Sequence, residues 1–166
     1  MNLPLPAPTR FVPFRAGAVQ PAANAGELLG RLHALLPAFA EASAARERDR
    51  VLPYDWVRRL GEAGLFTLRV PRAHGGPGGT VRQLMQAIVA IASVDSNLAQ
   101  ALRPGFGFVE SLLWADDATV NERWLPRVLA GEVFGNAGWE RGGPNGQITA
   151  RITRDGEGWR ISGTKY

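Results

Sequence analysis

The sequence predicts a mainly α fold, in which an N-terminal domain of about five helices is followed by the first strands of a truncated, β-barrel-like domain. Two patterns support this prediction. Apolar residues recur at helical spacing over residues 24–131, whereas apolar and polar residues alternate from Ile148 onwards. Helices followed by strands are typical of α+β proteins or of separate domains. We therefore expect an extended or disordered leader at 1–23, a helical domain at 24–131 and an incomplete β-domain at 132–166.

The leader is defined by its five prolines, which fix φ and remove backbone donors, so neither a stable helix nor a central strand is expected there. The first helix is predicted from about Asn24, its candidate cap, to about Arg48, with a kink at Pro37. A short second helix follows. Pro53 stands at its start and Gly64 just past its end, as helix termini favour.

The segment after the second helix combines an apolar run with a glycine-rich stretch. We expect residues 65–71 to be extended and residues 75–79 to form a loop. That loop lacks the lysine and hydroxyl of a P-loop, so a tight turn is favoured over phosphate binding. Thr80 can cap a third helix with a broad apolar stripe, which we interpret as core. The stripe consists of Val81, Leu84, Met85, Ile88, Val89 and Ala92.

Two more helices are predicted before the pattern changes. Ser96 is the expected cap of a fourth helix, which should bend near Pro104. Asp116 or Asp117 begins a fifth helix, and Gly131 closes it.

The alternating residues that follow, with a turn at 155–158, predict a β-hairpin. The sequence reaches Tyr166 in mid-strand, without a turn or a cap. We therefore expect a chain that is cut short, whose hairpin belongs to a larger sheet.

Composition narrows the class of protein. With 45% hydrophobic residues the chain can bury a core, and the sequence contains neither an apolar run of membrane-spanning length nor a secretory signal, so a cytoplasmic protein without a membrane partner is expected. The absence of cysteine excludes disulfides and thiolate chemistry. Although the net charge is +4, most arginines are interleaved with acids, which is typical of solvated helix faces. No nucleic-acid partner is expected.

Residues with familiar catalytic spacing are scarce. The two histidines, His33 and His74, have no partner at metal-binding spacing, so no metal site is predicted. No nucleophile motif such as GxSxG occurs, and no catalytic residue is assigned. Spacing and composition by themselves indicate a helical domain with a β extension.

Three ordered stretches resemble the acyl-CoA dehydrogenase superfamily. Residues 53–79 are similar to its short helix ending in Gly-Leu, followed by Val-Pro and a Gly-Gly-x-Gly loop. Residues 124–132, which begin Trp-Leu-Pro, resemble its Tyr-Leu-Pro to Gly-Glu helix, and residues 156–165 resemble its hairpin ending in Gly-x-Lys. The resemblance covers residues 25–166 and implies the N-terminal helical domain and the start of the middle β-domain of a flavoenzyme that uses FAD or FMN.

The resemblance also implies a cofactor-binding segment at residues 136–140, which is expected to be a strand. It places Asn136, Gly138 and Trp139 at flavin-contacting positions and Glu140 at the position of the family's acid. Trp139 stands where the family usually has threonine, so packing or stacking replaces a hydroxyl bond to the flavin. The loop at 141–146 is shorter than the family's loop, which usually contacts the CoA phosphates. The family's base lies in its C-terminal bundle, so this chain by itself is expected to be inactive.

The superfamily offers two kinds of reaction. Dehydrogenases oxidise an acyl-CoA, whereas the monooxygenase branch uses reduced flavin and oxygen on a small organosulfur or aromatic compound. Residues 96–110 and 162–166, together with the altered loop, look more like the monooxygenase branch, and there Phe106 and Phe108 could face the substrate, although helix phenylalanines are more often core. The full enzyme is expected to be a homo-oligomer. A different possibility is a non-catalytic helical interaction module, which the replacement of threonine by Trp139 favours.

Overall fold

The structure, a computed structural model, describes residues 16–140 and 147–165. Residues 1–15 of the predicted leader, the loop at 141–146 and Tyr166 lie outside the described residues. The predicted mainly α fold with a terminal hairpin is confirmed. Its elements are α1 (Ala25–Asp49), α2 (Tyr54–Glu62), α3 (Val81–Ala92), α4 (Ser96–Ala115), α5 (Ala118–Leu129), β1 (Arg151–Asp155) and β2 (Gly158–Ser162). Internal contacts divide the chain into a helical unit that ends at Phe134 and a β unit that begins at Gly135.

The start of α1 is fixed by two side-chain bonds, one of them to Asn24, the cap that the sequence predicts. Oδ1 of Asn24 accepts a hydrogen bond from the Glu27 amide at 3.0 Å, and the Glu27 carboxylate accepts one from the Ala23 amide at 2.9 Å. The bond from Ala23, together with the Arg31 guanidinium, lowers the pKa of Glu27. The helix continues through Pro37 and ends where Arg50 adopts the left-handed conformation.

The segment that follows α2 is not extended, so that part of the prediction was wrong. Residues Leu65–Thr67 form a 3₁₀ turn, and a second 3₁₀ turn spans Arg72–His74. The amide of Thr67 donates to the Gly64 carbonyl at 2.9 Å, and its hydroxyl donates to the same oxygen at 2.7 Å. These local hydrogen bonds pair the backbone polar groups while the apolar side chains enter the core. An apolar run by itself does not distinguish such a turn from an extended segment.

The glycine-rich loop at 75–79 is a tight turn, as its residues favour. Its amides are used internally: Gly76 donates to Pro71, Gly78 to Val70 and Gly79 to Leu68, at 3.1, 3.0 and 2.8 Å. Amides that bind neighbouring carbonyls do not point at a phosphate. The loop therefore acts as a structural turn that lies close to the backbone of residues 68–70.

Replacing Gly76 with alanine should destabilise the helical unit by about 1–3 kcal/mol or more, because the added methyl would overlap the carbonyl oxygen and Cβ of Val70. Gly30, on α1, is the matched control. Apart from the chain neighbours and backbone of α1 itself, no described atom lies within 4 Å of a Cβ built there, so Gly30→Ala should stabilise the helix by about 0.5–1 kcal/mol. Urea unfolding followed by circular dichroism at 222 nm measures both, and equal effects of the two changes would contradict the close approach at Gly76.

The apolar stripe of α3 is only half buried, which corrects its interpretation as core. Leu84 lies in the core and Ile88 packs partly against it, whereas Val81, Met85 and Val89 are exposed. The stripe is wider than the surface that α1 and α4 cover, so its outer half faces an open groove between α1 and α3. This α1–α3 groove is lined by Leu29, His33, Val81, Arg82, Met85, Gln86, Val89, Ala90 and Ser93.

The caps of α4 and α5 are both aspartates. Asp95, and not the predicted Ser96, caps α4: its carboxylate accepts a bond from the Leu98 amide at 2.9 Å, and Ser96 is the first helical residue. Asp117 caps α5 through the Val120 amide at 3.2 Å, as one of the two predicted alternatives. The helix α4 continues through Pro104 as a single element.

The helical unit encloses two buried clusters. The larger cluster joins α1, α2, α3 and α4, with Phe39, Leu60 and Leu98 among its fully buried members. The smaller cluster joins α4 and α5 to the segment around Val70. In residues 16–140 and 147–165, no helix is long and apolar enough to cross a membrane.

Candidate functional site

The predicted cofactor segment, residues 136–140, lies in the β unit and precedes the hairpin in the chain. Asn136, Gly138 and Trp139 are exposed, and the segment has irregular conformation instead of the strand that we expected. The hairpin itself is confirmed: β1 and β2 pair antiparallel, with Ile152 opposite Ile161. No described strand pairs with the segment, and its contacts with the rest of the β unit involve side chains.

The side chain of Glu140 connects the segment to the hairpin. One carboxylate oxygen, Oε2, accepts hydrogen bonds from the amide and the hydroxyl of Thr149 at 2.7 and 2.5 Å. The other, Oε1, accepts from the Ala150 amide at 2.9 Å and from Nζ of Lys165 at 2.8 Å. The Glu140 side chain is only 6% exposed. One carboxylate therefore joins the segment to the two residues that lead into β1 and to Lys165, three residues beyond the end of β2.

The same contacts determine the protonation of Glu140. The bonds from Lys165 and from the hydroxyl and amide of Thr149 lower the pKa of Glu140 to about 2 from its usual 4.5. Because the folded pKa is below the unfolded one, the stabilisation is complete above pH 4.5 and is lost as the pH falls towards 2. At neutral pH Glu140 is an ionised acceptor.

Lys165 has a second partner in the segment. Its Nζ lies 3.3 Å from the carbonyl oxygen of Gly138, to which it donates a hydrogen bond. Trp139, between Gly138 and Glu140, is 78% exposed. The segment thus presents an indole to solvent while the residues on both sides of it are tied to Lys165.

The two predicted substrate residues lie in the other unit. Phe106 is buried in the larger cluster, with its ring centroid 5.8 Å from that of Phe66. Phe108 is half-buried, stacked on Phe134 at 4.1 Å and edge-on to Trp124 at 5.5 Å. Both rings pack against other side chains of the helical unit, as helix phenylalanines often do.

Sequence reasoning missed three members of this arrangement. Thr149 and Ala150 carry no chemical signal of their own, since Ala150 contributes only its backbone amide. Lys165 did carry one, because it ends the hairpin motif on which the family resemblance rests and is the chain's single lysine. The sequence marks Lys165 in this way but does not single out Glu140 as its partner, because the β unit also contains Asp155 and Glu157.

Comparison with known proteins supports the family. Residues 33–132, more than half of the chain, match the family described as acyl-CoA dehydrogenase, N-terminal domain. A (2S)-methylsuccinyl-CoA dehydrogenase of Cereibacter sphaeroides is 25% identical, over 71% of this chain and 22% of its own length. A probable acyl-CoA dehydrogenase of Mycobacterium tuberculosis is 30% identical, over 52% of this chain and 14% of its own length.

The chain thus spans about a fifth or less of the length of these curated relatives. No solved structure matches it at a significant level. The family match covers most of α1 and continues to Glu132, just beyond α5, so it rests on the helical unit. The five-helix unit and its match over residues 33–132 show that this chain belongs to the acyl-CoA dehydrogenase N-terminal domain family.

Proposed function

We propose that the chain is part of a flavin-dependent oxidoreductase that acts on an acyl-CoA, and that residues 136–140 form one edge of its FAD site. The single observation that supports this site best is a fixed segment with an exposed face. Among the described residues, no hydrogen bond uses the amides of Asn136, Gly138 or Trp139, although Glu140 is held by four bonds. Unused donors on a fixed backbone fit the acceptor-rich end of a flavin ring.

The flavin, when bound, supplies the hydride acceptor for oxidation of the acyl chain. The chain's own contribution is binding and orientation. The amides of Asn136, Gly138 and Trp139 would donate hydrogen bonds to a bound flavin ring and would stabilise negative charge on it. The Trp139 indole offers a flat apolar surface against which a ring can stack, in place of the hydroxyl that the family usually places at this position.

The dehydrogenase reaction is favoured over the monooxygenase reaction, because the relatives described above are named as dehydrogenases. FAD is accordingly preferred to FMN as the cofactor. Residues 16–140 and 147–165 contain no group assigned as the base that removes a proton from the substrate. We therefore expect this chain by itself to bind flavin weakly and to catalyse no turnover.

Replacing Trp139 with alanine should weaken FAD binding roughly fivefold or more, which corresponds to about 1 kcal/mol of lost aromatic stacking. The matched control is Trp114→Ala, since Trp114 is 92% exposed but lies on α4. Quenching of flavin fluorescence by the purified chain measures both affinities. Equal affinities of the two variants, or no quenching by the unaltered chain at millimolar concentration, would contradict the proposed site.

A non-catalytic interaction module is the second candidate, and one observation favours it. The α1–α3 groove exposes Val81, Met85 and Val89 side by side on the helical unit, a surface suited to an apolar partner. Flavin absorbance distinguishes the two functions. A module of this kind would leave the absorption spectrum of added FAD unchanged, whereas a flavin site shifts it.

A further inference from the structure

We propose that Glu140 and Lys165 are positioning residues of the candidate site: they orient the peptide between Gly138 and Trp139 so that the Trp139 amide faces the cofactor, and they do not contact the cofactor themselves. This inference rests on the proposed function, because it states which residues orient the Trp139 amide in the proposed flavin site. It stands on the bonding capacity of one carboxylate and on the planarity of one peptide.

The Glu140 carboxylate has no capacity left for a ligand. An ionised carboxylate accepts about four hydrogen bonds, two on each oxygen. Oε2 already accepts two from Thr149, and Oε1 accepts one each from Ala150 and Lys165. With its side chain 6% exposed, Glu140 serves the site by holding other residues in place.

Lys165 determines the orientation of the neighbouring peptide. Its Nζ binds the carbonyl oxygen of Gly138 at 3.3 Å, so that carbonyl points towards the lysine. No cis peptide occurs in the described chain, and in a planar trans peptide the C=O and the following N–H point in opposite directions. The Trp139 amide is therefore directed away from Lys165, towards the exposed side of the segment.

The two residues cooperate through their charges. Lys165 alone could rotate freely on its four-carbon stem, but the ion pair with Glu140 at 2.8 Å fixes its ammonium beside Gly138. Glu140 is in turn fixed by three donors from residues 149 and 150. A chain of contacts thus leads from the two residues before β1 through Glu140 and Lys165 to the Gly138 carbonyl, whose peptide carries the Trp139 amide.

Glu140→Gln is the most informative variant. Glutamine keeps the shape but places an NH₂ group, a donor, against either Thr149 or the Ala150–Lys165 pair, which are donors as well. We expect the protection of the Thr149 and Ala150 amides from hydrogen exchange to fall roughly tenfold or more, and the affinity for FAD to fall by a similar factor. Glu157→Gln is the control, because Glu157 is an exposed glutamate in the hairpin turn.

Two variants, Lys165→Met and Lys165→Arg, distinguish an effect on the orientation of the Trp139 amide from an effect on the stability of the contacts around Glu140. Methionine removes both bonds of Nζ, so the Trp139 amide signal should shift and FAD should bind roughly tenfold more weakly, while the Thr149 amide keeps its protection. Arginine retains charge and donors and should restore binding to within about threefold. In the unaltered chain, lowering the pH from 4.5 to 2 should shift the exchange pattern part of the way towards that of Glu140→Gln, because about half of the Glu140 carboxylates are protonated when the pH reaches their pKa.

Spectroscopy of the ¹⁵N-labelled 166-residue chain tests the positioning roles and the flavin site separately. Unaltered exchange at Thr149 and Ala150 in Glu140→Gln, or an unmoved Trp139 amide in Lys165→Met, would overturn the positioning roles even if FAD binds. Intact positioning effects without any FAD-induced shift in the unaltered chain would instead overturn the flavin site, and with it the role assigned to the Trp139 amide. If Glu140→Gln fails to fold, Lys165→Met alone decides the first question.

Discussion

Replacing Asp95 with alanine is expected to lower the free energy of unfolding of the helical unit by about 3–5 kcal/mol. The Asp95 side chain is 5% exposed and performs two tasks. One oxygen caps α4 through the Leu98 amide, and the other pairs with the Arg46 guanidinium, whose side chain is 11% exposed. Alanine would remove the cap and leave a buried positive charge without its partner.

Arg46 has little alternative support in this environment. Its guanidinium lies over the Trp56 ring at 5.3 Å, and its Nη1 has no hydrogen-bond partner among the described residues. Removing both charges should therefore cost less than removing one, so Arg46→Met combined with Asp95→Leu is expected to recover much of the loss.

Urea unfolding of the single and double variants, followed by circular dichroism, measures these differences. The control is Asp55→Ala, which breaks an exposed pair with Arg58 and should cost less than about 1 kcal/mol. A loss from Asp95→Ala no larger than that of Asp55→Ala would show that the buried pair does not stabilise the fold.

Replacing Phe39 with alanine should cost about 3–5 kcal/mol as well, for a different reason. Phe39 is fully buried at the centre of α1, within the larger cluster. Its ring meets that of Trp56 edge-on, with centroids 4.4 Å apart, so the change removes apolar area and an aromatic pair and leaves a cavity between α1 and α2.

Two comparisons test this explanation. Phe39→Leu leaves a smaller cavity and should cost clearly less than alanine, since the penalty grows with the volume left empty. Val89→Ala removes an exposed side chain from α3 and should change stability by no more than about 0.5 kcal/mol. Thermal or urea unfolding of the three variants should give that order, and a Phe39→Ala variant as stable as Val89→Ala would contradict the assigned core.

The helices could be predicted from the sequence because their signals are local. Asn24 and Thr80 cap the helices for which they were predicted, since a cap and its amide lie three residues apart. Asp95 could not be chosen over Ser96 by such reasoning. Its advantage comes from Arg46, 49 residues earlier in the chain. Local chemistry locates a helix end, and tertiary contacts decide which residue caps it.

The errors on the apolar segments have a common origin. An apolar run such as 65–71 reports that side chains are buried, and not which backbone conformation buries them. Similarly, the stripe on α3 reports which face is apolar, but Val81, Met85 and Val89 are exposed because no described element covers them. Burial depends on how much of the stripe the neighbouring helices cover, and the periodicity of the sequence carries no information about that coverage.

The family resemblance located the candidate site in the sequence, but it did not predict the contacts that hold the site in place. Residues 136–140 were expected to be held as a strand, but Glu140 holds them through Thr149, Ala150 and Lys165, which follow it by 9 to 25 residues. A side-chain acceptor that replaces a strand ladder has no periodic signature in sequence. Only the coordinates of both segments show it.

Intermolecular nuclear Overhauser effects between FAD and the isotopically labelled chain test the proposed site most directly. We predict contacts between the ring protons of the flavin and the Trp139 indole, accompanied by shifts of the Asn136 and Trp139 amides. Contacts confined to the α1–α3 groove, such as those to His33 or Met85, would contradict it, as would the absence of any contact.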